Sequence, residues 1–248
     1  MNETIEVLMN HRSIRKYSSK EVSDDQLEQI IAAGQMASSS SNVQAYSVIA
    51  IRDADMKCEL AALAGHQAYI EQCPVFLVWC ADLYRLQQAG KPYMEEQESY
   101  IDSVENFIVA TVDTALAAQN SAVAAESLGL GIVYIGGVRN EIERISALLE
   151  LPERVYPVFG MCVGYPDQQP DVRPRLPLKG VLHHGKYDAS GIAGQVQIYD
   201  EAYRTYMSER TGGGQPPAGW SAFMAKRLAE PVRLHMKDYL ERRGLLKR

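Results

Sequence analysis

The stretch 103–128 constrains the fold more than any other part of the chain. It is rich in alanine and apolar nearly all round, which favours helix and predicts a central, buried position. Asp113, Asn120 and Glu126 interrupt it, so no run of about 18 apolar residues exists and no bilayer span is expected. Strands and helices alternate around it. YSVIAI (46–51), VFLVWCA (75–81), GIVYI (131–135) and VYPVFGMCVG (155–164) are apolar and β-rich and predict buried strands. Helices are expected at 3–10, 24–37, 53–64, 140–149, 196–210 and 220–243. Ser23 or Asp24 suits the cap of the second, and Asn140 with Glu143 resembles a capping box. Residues 85–101, interrupted by Gly90 and Pro92, predict an exposed helix–turn–helix excursion. Residues 165–195 predict mostly loop. The pattern implies one α+β or α/β layered domain over residues 1–248.

Charge narrows the partners. The 248 residues carry 25 basic against 31 acidic side chains, a net charge of −6. A phosphate-backbone binder is usually basic, so neither nucleic acid nor an anionic membrane is expected. Residues 225–248 are locally basic, with eight cations against three carboxylates; a solvated helix face is the expectation there. The opening Met-Asn-Glu-Thr is polar and precedes no apolar run, so no secretory signal is expected. The cysteines at 58, 73, 80 and 162 match no C-x-x-C spacing and predict mostly buried free thiols in a reducing cytoplasm. Gly129-Leu130-Gly131 has Tyr134 where a dinucleotide fingerprint needs its third glycine. Neither a phosphate loop, a nucleophile elbow nor H-E-x-x-H is present. His183-His184 predicts solvated loop histidines, and no metal is expected.

Four constellations remain. His11-Arg12-Ser13-Ile14-Arg15-Lys16-Tyr17 has the composition of a solvated basic turn, and also the dense charged donors a phosphate requires. Ser38-Ser39-Ser40-Ser41-Asn42-Val43-Gln44 is a polar loop whose hydroxyls and amides suit a polyhydroxyl chain or a heterocycle edge. Tyr134-Ile135-Gly136-Gly137-Val138-Arg139-Asn140 is a tight strand–helix turn; its glycines permit close approach to a ligand and its helix N-terminus favours electron-rich groups. In Asp171-Val172-Arg173-Pro174-Arg175-Leu176-Pro177 the arginines alternate, so an extended segment turns both to one side. Together they suggest a phosphorylated heterocyclic ligand.

With HRSIRKY (11–17), ASSSSNVQAYS (37–47), AGHQAYIE (64–71), CADLYR (80–85), DTALAAQNSAVAAESLGLGIVYIGGVRN (113–140), GYPDQQPDVRPRLP (164–177) and YDEAYRTYMSERT (199–211), the chain resembles the oxygen-insensitive NADPH nitroreductases and the NADPH flavin reductases of the flavin reductase P type. These belong to the nitroreductase superfamily. The resemblance implies an α+β fold with a mixed central sheet flanked by helices, and a homodimer with flavin sites at the interface. It implies bound FMN, with the phosphate among His11, Arg12, Ser13, Arg15, Arg173 and Arg175. Ser39, Ser41, Gln67 and Tyr69 would meet the ribityl chain and ring edge, and the backbone of Tyr134, Ile135, Gly136 and Gly137 would lie along the ring. Arg233, placed in the last helix, would line the substrate cavity and stabilise charge developing on the acceptor. Arg210 would meet the 2′-phosphate of NADPH. The implied activity is ping-pong transfer of hydride from NADPH or NADH to FMN, then reduction of nitroaromatics, quinones or free flavin. Small-molecule acceptors are the implied partners, in the cytoplasm. Alternatives are a dedicated FMN reductase serving a partner protein and a flavin-binding redox sensor or carrier without turnover. Arg173 stands where relatives commonly have lysine, and Gln215 where well-matched members have a second 2′-phosphate arginine.

Overall fold

The computed structural model describes residues 2–95, 97–210 and 219–248. Ten helices occur among them: α1 Glu3–Met9, α2 Asp24–Gln35, α3 Ala54–Leu63, α4 Ala68–Gln72, α5 Tyr84–Met94, α6 Val104–Ser127, α7 Ile142–Leu148, α8 Ile192–Glu209, α9 Trp220–Ala229 and α10 Met236–Arg242. The strands are β1 Tyr46–Ile51, β2 Val75–Asp82, β3 Gly131–Ile135 and β4 Val155–Gly164. They form one sheet in the order β1-β2-β4-β3, with every ladder antiparallel. Parallel pairing enters through an isolated bridge between Ser13 and Ile132.

β2 is interior, and all its residues are buried. The strand alternation sends Phe76, Val78 and Cys80 into one apolar cluster, and Val75, Leu77 and Trp79 into the other. α6 covers the second cluster. Ser103 caps it by accepting from the Asn106 amide at 3.3 Å. Its buried face is built of small residues: Ala110, Thr114, Ala117, Ala118, Ser121, Ala122 and Ala125. These let α2 and the sheet approach closely, and Ser121 Oγ donates to the Ile30 carbonyl at 3.0 Å. α6 is long and apolar enough to cross a membrane by length and composition, yet this face is core. The expectation of burial all round is corrected: Val104, Ile108, Val112 and Leu116 on the outer face are exposed. A helix lying on one sheet buries one stripe, whatever its composition elsewhere.

Three boundaries also depart from expectation. α5 runs through Gly90 and Pro92 as one helix and ends two residues later, with no second helix among the described residues of the excursion. The span 220–243 is two helices, because Glu230 precedes Pro231 and takes extended angles (φ −96°, ψ 129°). α7 begins at Ile142 after Glu141, so Asn140 forms no capping box. α2, by contrast, has the full box, with Ser23 and Gln26 exchanging bonds.

Contacts divide the chain into two units, Met1–Pro170 with Arg233–Arg248, and Asp171–Val232. The first holds the sheet. In the second, the Tyr199 and Trp220 rings meet edge-on at 5.5 Å. Asp200 Oδ1 accepts from the Ser221 amide at 2.7 Å, and that bond holds its carboxyl below the usual range.

A Cβ on Gly34 would sit 2.3 Å from Ser121 Oγ and 3.0 Å from the Ala117 carbonyl. Alanine is the better helix former by about 1 kcal/mol, but overpacking here outweighs it. Gly34→Ala should lower unfolding free energy by about 1–3 kcal/mol in urea titration; equal or higher stability would contradict this packing.

Candidate functional site

Of the expected site residues, all but Arg173, Arg175 and Arg210 lie in the first unit. The 11–15 segment is fastened to the sheet by the Ser13–Ile132 bridge and by the Ile14 amide, which donates to the Ile132 carbonyl at 2.9 Å. Ile14 is buried and acts as the anchor. A Cβ on Gly131 would lie 2.5 Å from it, so glycine there is a packing requirement. The polar side chains are left to either side. Arg15 is exposed, stands 6.0 Å from the Tyr69 ring centroid and donates to no other described residue. Arg12 Nε donates to the Asn10 carbonyl at 3.2 Å. His11 Nδ1 lies 2.6 Å from Glu126 Oε1, so one ring nitrogen faces a carboxylate. The donor set suits an anion of the phosphate kind, with Arg15 as its uncommitted cation. A cavity of about 940 Å³ beside Arg12 is lined by Glu3, Glu6, Asn10, Glu126 and Asp167. Its carboxylates are the wrong charge for a phosphate, and it touches neither Ser39, Gln67 nor Gly136.

The serine loop is ordered by a residue that sequence reasoning passed over. Asp113, on the buried face of α6, is 1% exposed. Its Oδ1 accepts from the Ser40 amide at 3.0 Å and its Oδ2 from the Ala45 amide at 3.2 Å. A buried carboxylate demands such donors. The available signal was a lone acid three residues after Ala110 and four before Ala117, inside an alanine-rich face. The loop between the two amides carries positive φ at Ser41 (48°), Asn42 (58°) and Gln44 (52°). Left-handed non-glycine residues cost about 1–3 kcal/mol each and cluster at ligand sites. Ser39 Oγ accepts from the Gln44 amide at 3.3 Å. A pocket of about 400 Å³ joins Ser38, Ser39 and Ser40 to Ile108, Val112 and Leu116 of α6.

The glycine turn packs against the 64–69 segment. After β3, Gly136–Arg139 forms a 3-10 turn. A Cβ on Gly137 would come within 2.2 Å of the Ala64 carbonyl and 2.4 Å of Gln67 Nε2. The second glycine is thus required by protein packing, whereas Gly136 is half-buried and more open. α7 starts five residues beyond Gly137, which removes the expected helix N-terminus from this turn. Gln67 Nε2 donates to the Ala64 carbonyl at 2.7 Å, and Gln67 Oε1 accepts from the Tyr69 hydroxyl. Burial pushes the Tyr134 hydroxyl pKa up, with the Glu126 charge adding to it. Arg139 is half-buried, donates to the Val158 carbonyl and is held below the usual guanidinium range by desolvation. Arg233 lies not in the last helix but in the break before it, at φ +54°, with Nε donating to Asn140 Oδ1 at 2.9 Å. Proline at 231 forces that break.

In the second unit Arg173 and Arg175 are exposed, and Arg175 Nη1 donates to the Arg173 carbonyl at 3.2 Å. Tyr199 fastens the segment through the Pro174 carbonyl at 3.0 Å. Arg210 is the C-terminal cap of α8, its amide donating to the Tyr206 carbonyl at 3.1 Å. Gln215 lies outside the described residues.

The first unit is an α+β fold whose antiparallel sheet is flanked by a cationic segment, a strained serine loop and a glycine turn. The chain belongs to the nitroreductase family: the model for that family matches residues 8–165, and that for its C-terminal domain matches 173–248. It is 39% identical over 249 residues to the FMN reductase (NADPH) of Bacillus subtilis (strain 168), covering 100% of both chains. It is 43% identical to B. megaterium NfrA1, with a TM-score of 0.93 over 99% of this chain and 100% of that one. It is also similar to the NADPH:FMN oxidoreductase from Vibrio harveyi complexed with NAD+, at 40% identity and a TM-score of 0.90 over 100% of both.

Asp113→Asn replaces one acceptor with a donor facing an N–H. Hydrogen bonds to a charged group contribute about 1.5–3 kcal/mol, so the variant should lose stability of that order. It should also lose hydrogen-exchange protection at Ser40 and Ala45. Unchanged protection at both amides would show that the loop is held by other means.

Proposed function

We propose that this chain is an FMN-dependent NAD(P)H oxidoreductase that reduces small acceptors such as nitroaromatics, quinones or free flavin. The observation that carries the reading is Arg15: an uncommitted guanidinium held beside Tyr69 by a segment stitched to the sheet, in a chain of this family. Bound FMN supplies the hydride chemistry. The chain's residues supply the rest. Arg15 is the proposed leading phosphate donor of the first unit, with Ser13, Arg12 and His11 of the same segment as proposed supporting donors; Arg173 and Arg175 are proposed donors in the second. Ser39, Ser41, Gln67 and Tyr69 present hydroxyls and an amide for the ribityl chain and ring edge, and the backbone from Tyr134 to Gly137 supplies a flat wall. Arg233 places positive charge where an acceptor oxygen becomes negative.

The chain is proposed to work as a homodimer. Val104, Ile108, Val112 and Leu116 recur every fourth residue along the outer face of α6 and are exposed, as are Ile5, Leu8 and Met9 on neighbouring α1. Exposed apolar stripes on these two helices suit an association surface. A cytoplasmic location accords with four free thiols, three of them buried.

Purified protein should be yellow, bleach anaerobically with NADPH and recover colour on addition of nitrofurazone. A protein that binds FMN but does not bleach with either nicotinamide is a carrier, and the enzymatic reading fails. Arg15→Ala should weaken FMN by about 10-fold or more in fluorescence titration, the loss of one charge-assisted bond. Arg175→Ala, titrated separately, tests the second unit's contribution.

NADPH differs from NADH by one phosphate, so its selection requires a cation placed there. A single exposed arginine, screened by solvent, gives a preference of about one order of magnitude, or ~1.4 kcal/mol. Arg210→Ala should therefore lower kcat/KM for NADPH and leave NADH nearly untouched. If the ratio of the two is unchanged, the phosphate is read elsewhere.

A further inference from the structure

Asn140 joins two parts of the site that are distant in sequence. Its Nδ2 donates to the Ala64 carbonyl at 3.3 Å, and its Oδ1 accepts from Arg233 Nε at 2.9 Å. The same Ala64 carbonyl accepts from Gln67 Nε2 at 2.7 Å, and Gln67 in turn accepts from the Tyr69 hydroxyl. One amide therefore lies between the Arg233 guanidinium and the Gln67–Tyr69 pair. Both flanks carry a strained left-handed residue: His66 (φ +57°), after Gly65, on one side and Arg233 (φ +54°) on the other. A Cβ on Gly65 would stand 3.1 Å from Asn140 Nδ2, so the approach is already close. Asn140 is itself fixed, its amide donating to the Gly137 carbonyl at 2.8 Å. A strained arginine in a break between helices keeps one direction only if a partner specifies it.

We infer that Asn140 is the positioning residue that sets the direction of Arg233 toward the acceptor and holds it in register with Gln67 through the Ala64 carbonyl. The inference rests on the reading of Arg233 and Gln67 as site residues. The two ends of the amide do different things: the oxygen sets the direction of Arg233, and the nitrogen adds the tie to the Ala64 carbonyl. Aspartate at this position keeps the first bond and puts an oxygen against the Ala64 carbonyl in place of the second.

The test compares Asn140→Ala and Asn140→Asp in two measurements. The first is limited trypsin digestion of the flavin-stripped protein, followed by mass spectrometry of cleavage after Arg233. Asn140→Ala should cut there about 10-fold faster than wild type, and Asn140→Asp at nearly the wild-type rate, since a charge-assisted bond is worth at least that factor. The second is steady-state kinetics of the FMN-loaded enzyme with nitrofurazone. Asn140→Ala should raise KM about 10-fold with kcat within about twofold, and Asn140→Asp should restore most of KM. Wild-type cleavage and KM in Asn140→Ala would overturn the inference, as would equal damage from the two variants. A wild-type chain that holds no FMN would refute the proposed function, while the digestion would still decide the role of Asn140.

Discussion

The close seating of α6 on the sheet governs the rest of the first unit. Its inner face has no side chain larger than threonine or aspartate among the buried positions. That lets Gly34 of α2 press against Ser121 and brings Asp113 within reach of the serine loop. Larger residues would lift the helix off β2 and carry the carboxylate away from its two amides. Packing and ligand chemistry are thus linked through one buried acid. The loop's three left-handed residues are affordable only while the amides at both its ends are held.

Cations on this acidic chain fall into two groups. Several near the C-terminus are committed within the protein: Arg242 to Glu143, Arg243 to the Leu151 and Pro152 carbonyls, and Arg248 to Asp102 at 3.1 Å. Exposed ion pairs of this sort add little stability, but they show what the basic stretch does. It ties the chain end to α7 and to the turn before α6. Arg15 belongs to the other group, positioned by backbone and facing an aromatic ring. Position, more than number, separates a binding cation from a structural one.

Where a segment's own chemistry decides its structure, the sequence was legible. The four strands are continuous apolar runs, and their observed limits match the runs to within a residue. Ser23 caps α2 as its type and position suggest. What escaped depended on distant partners. The five-residue α4 follows a turn of two positive-φ residues and has no periodicity to reveal it. Asn140 looked like a cap because of Glu143, but Arg233 and Ala64, 93 and 76 residues away, claim its side chain. Pro231 did signal a break, yet helical composition on both sides concealed it. Of the candidate site, the charged, hydroxyl and glycine segments stood out in the sequence, but the bonds of Asp113 to the serine loop and of Asn140 to Ala64 and Arg233 did not.

The central claim is that segments 11–15, 38–45, 64–69 and 134–140, fixed by the core, receive one flavin. Hydrogen–deuterium exchange on the purified chain, with and without saturating FMN, tests it most directly. Protection should rise in these four segments together, while the outer face of α6 at 104–116 changes only if association changes. FMN bound with no added protection in any of the four would place the flavin elsewhere and contradict the account.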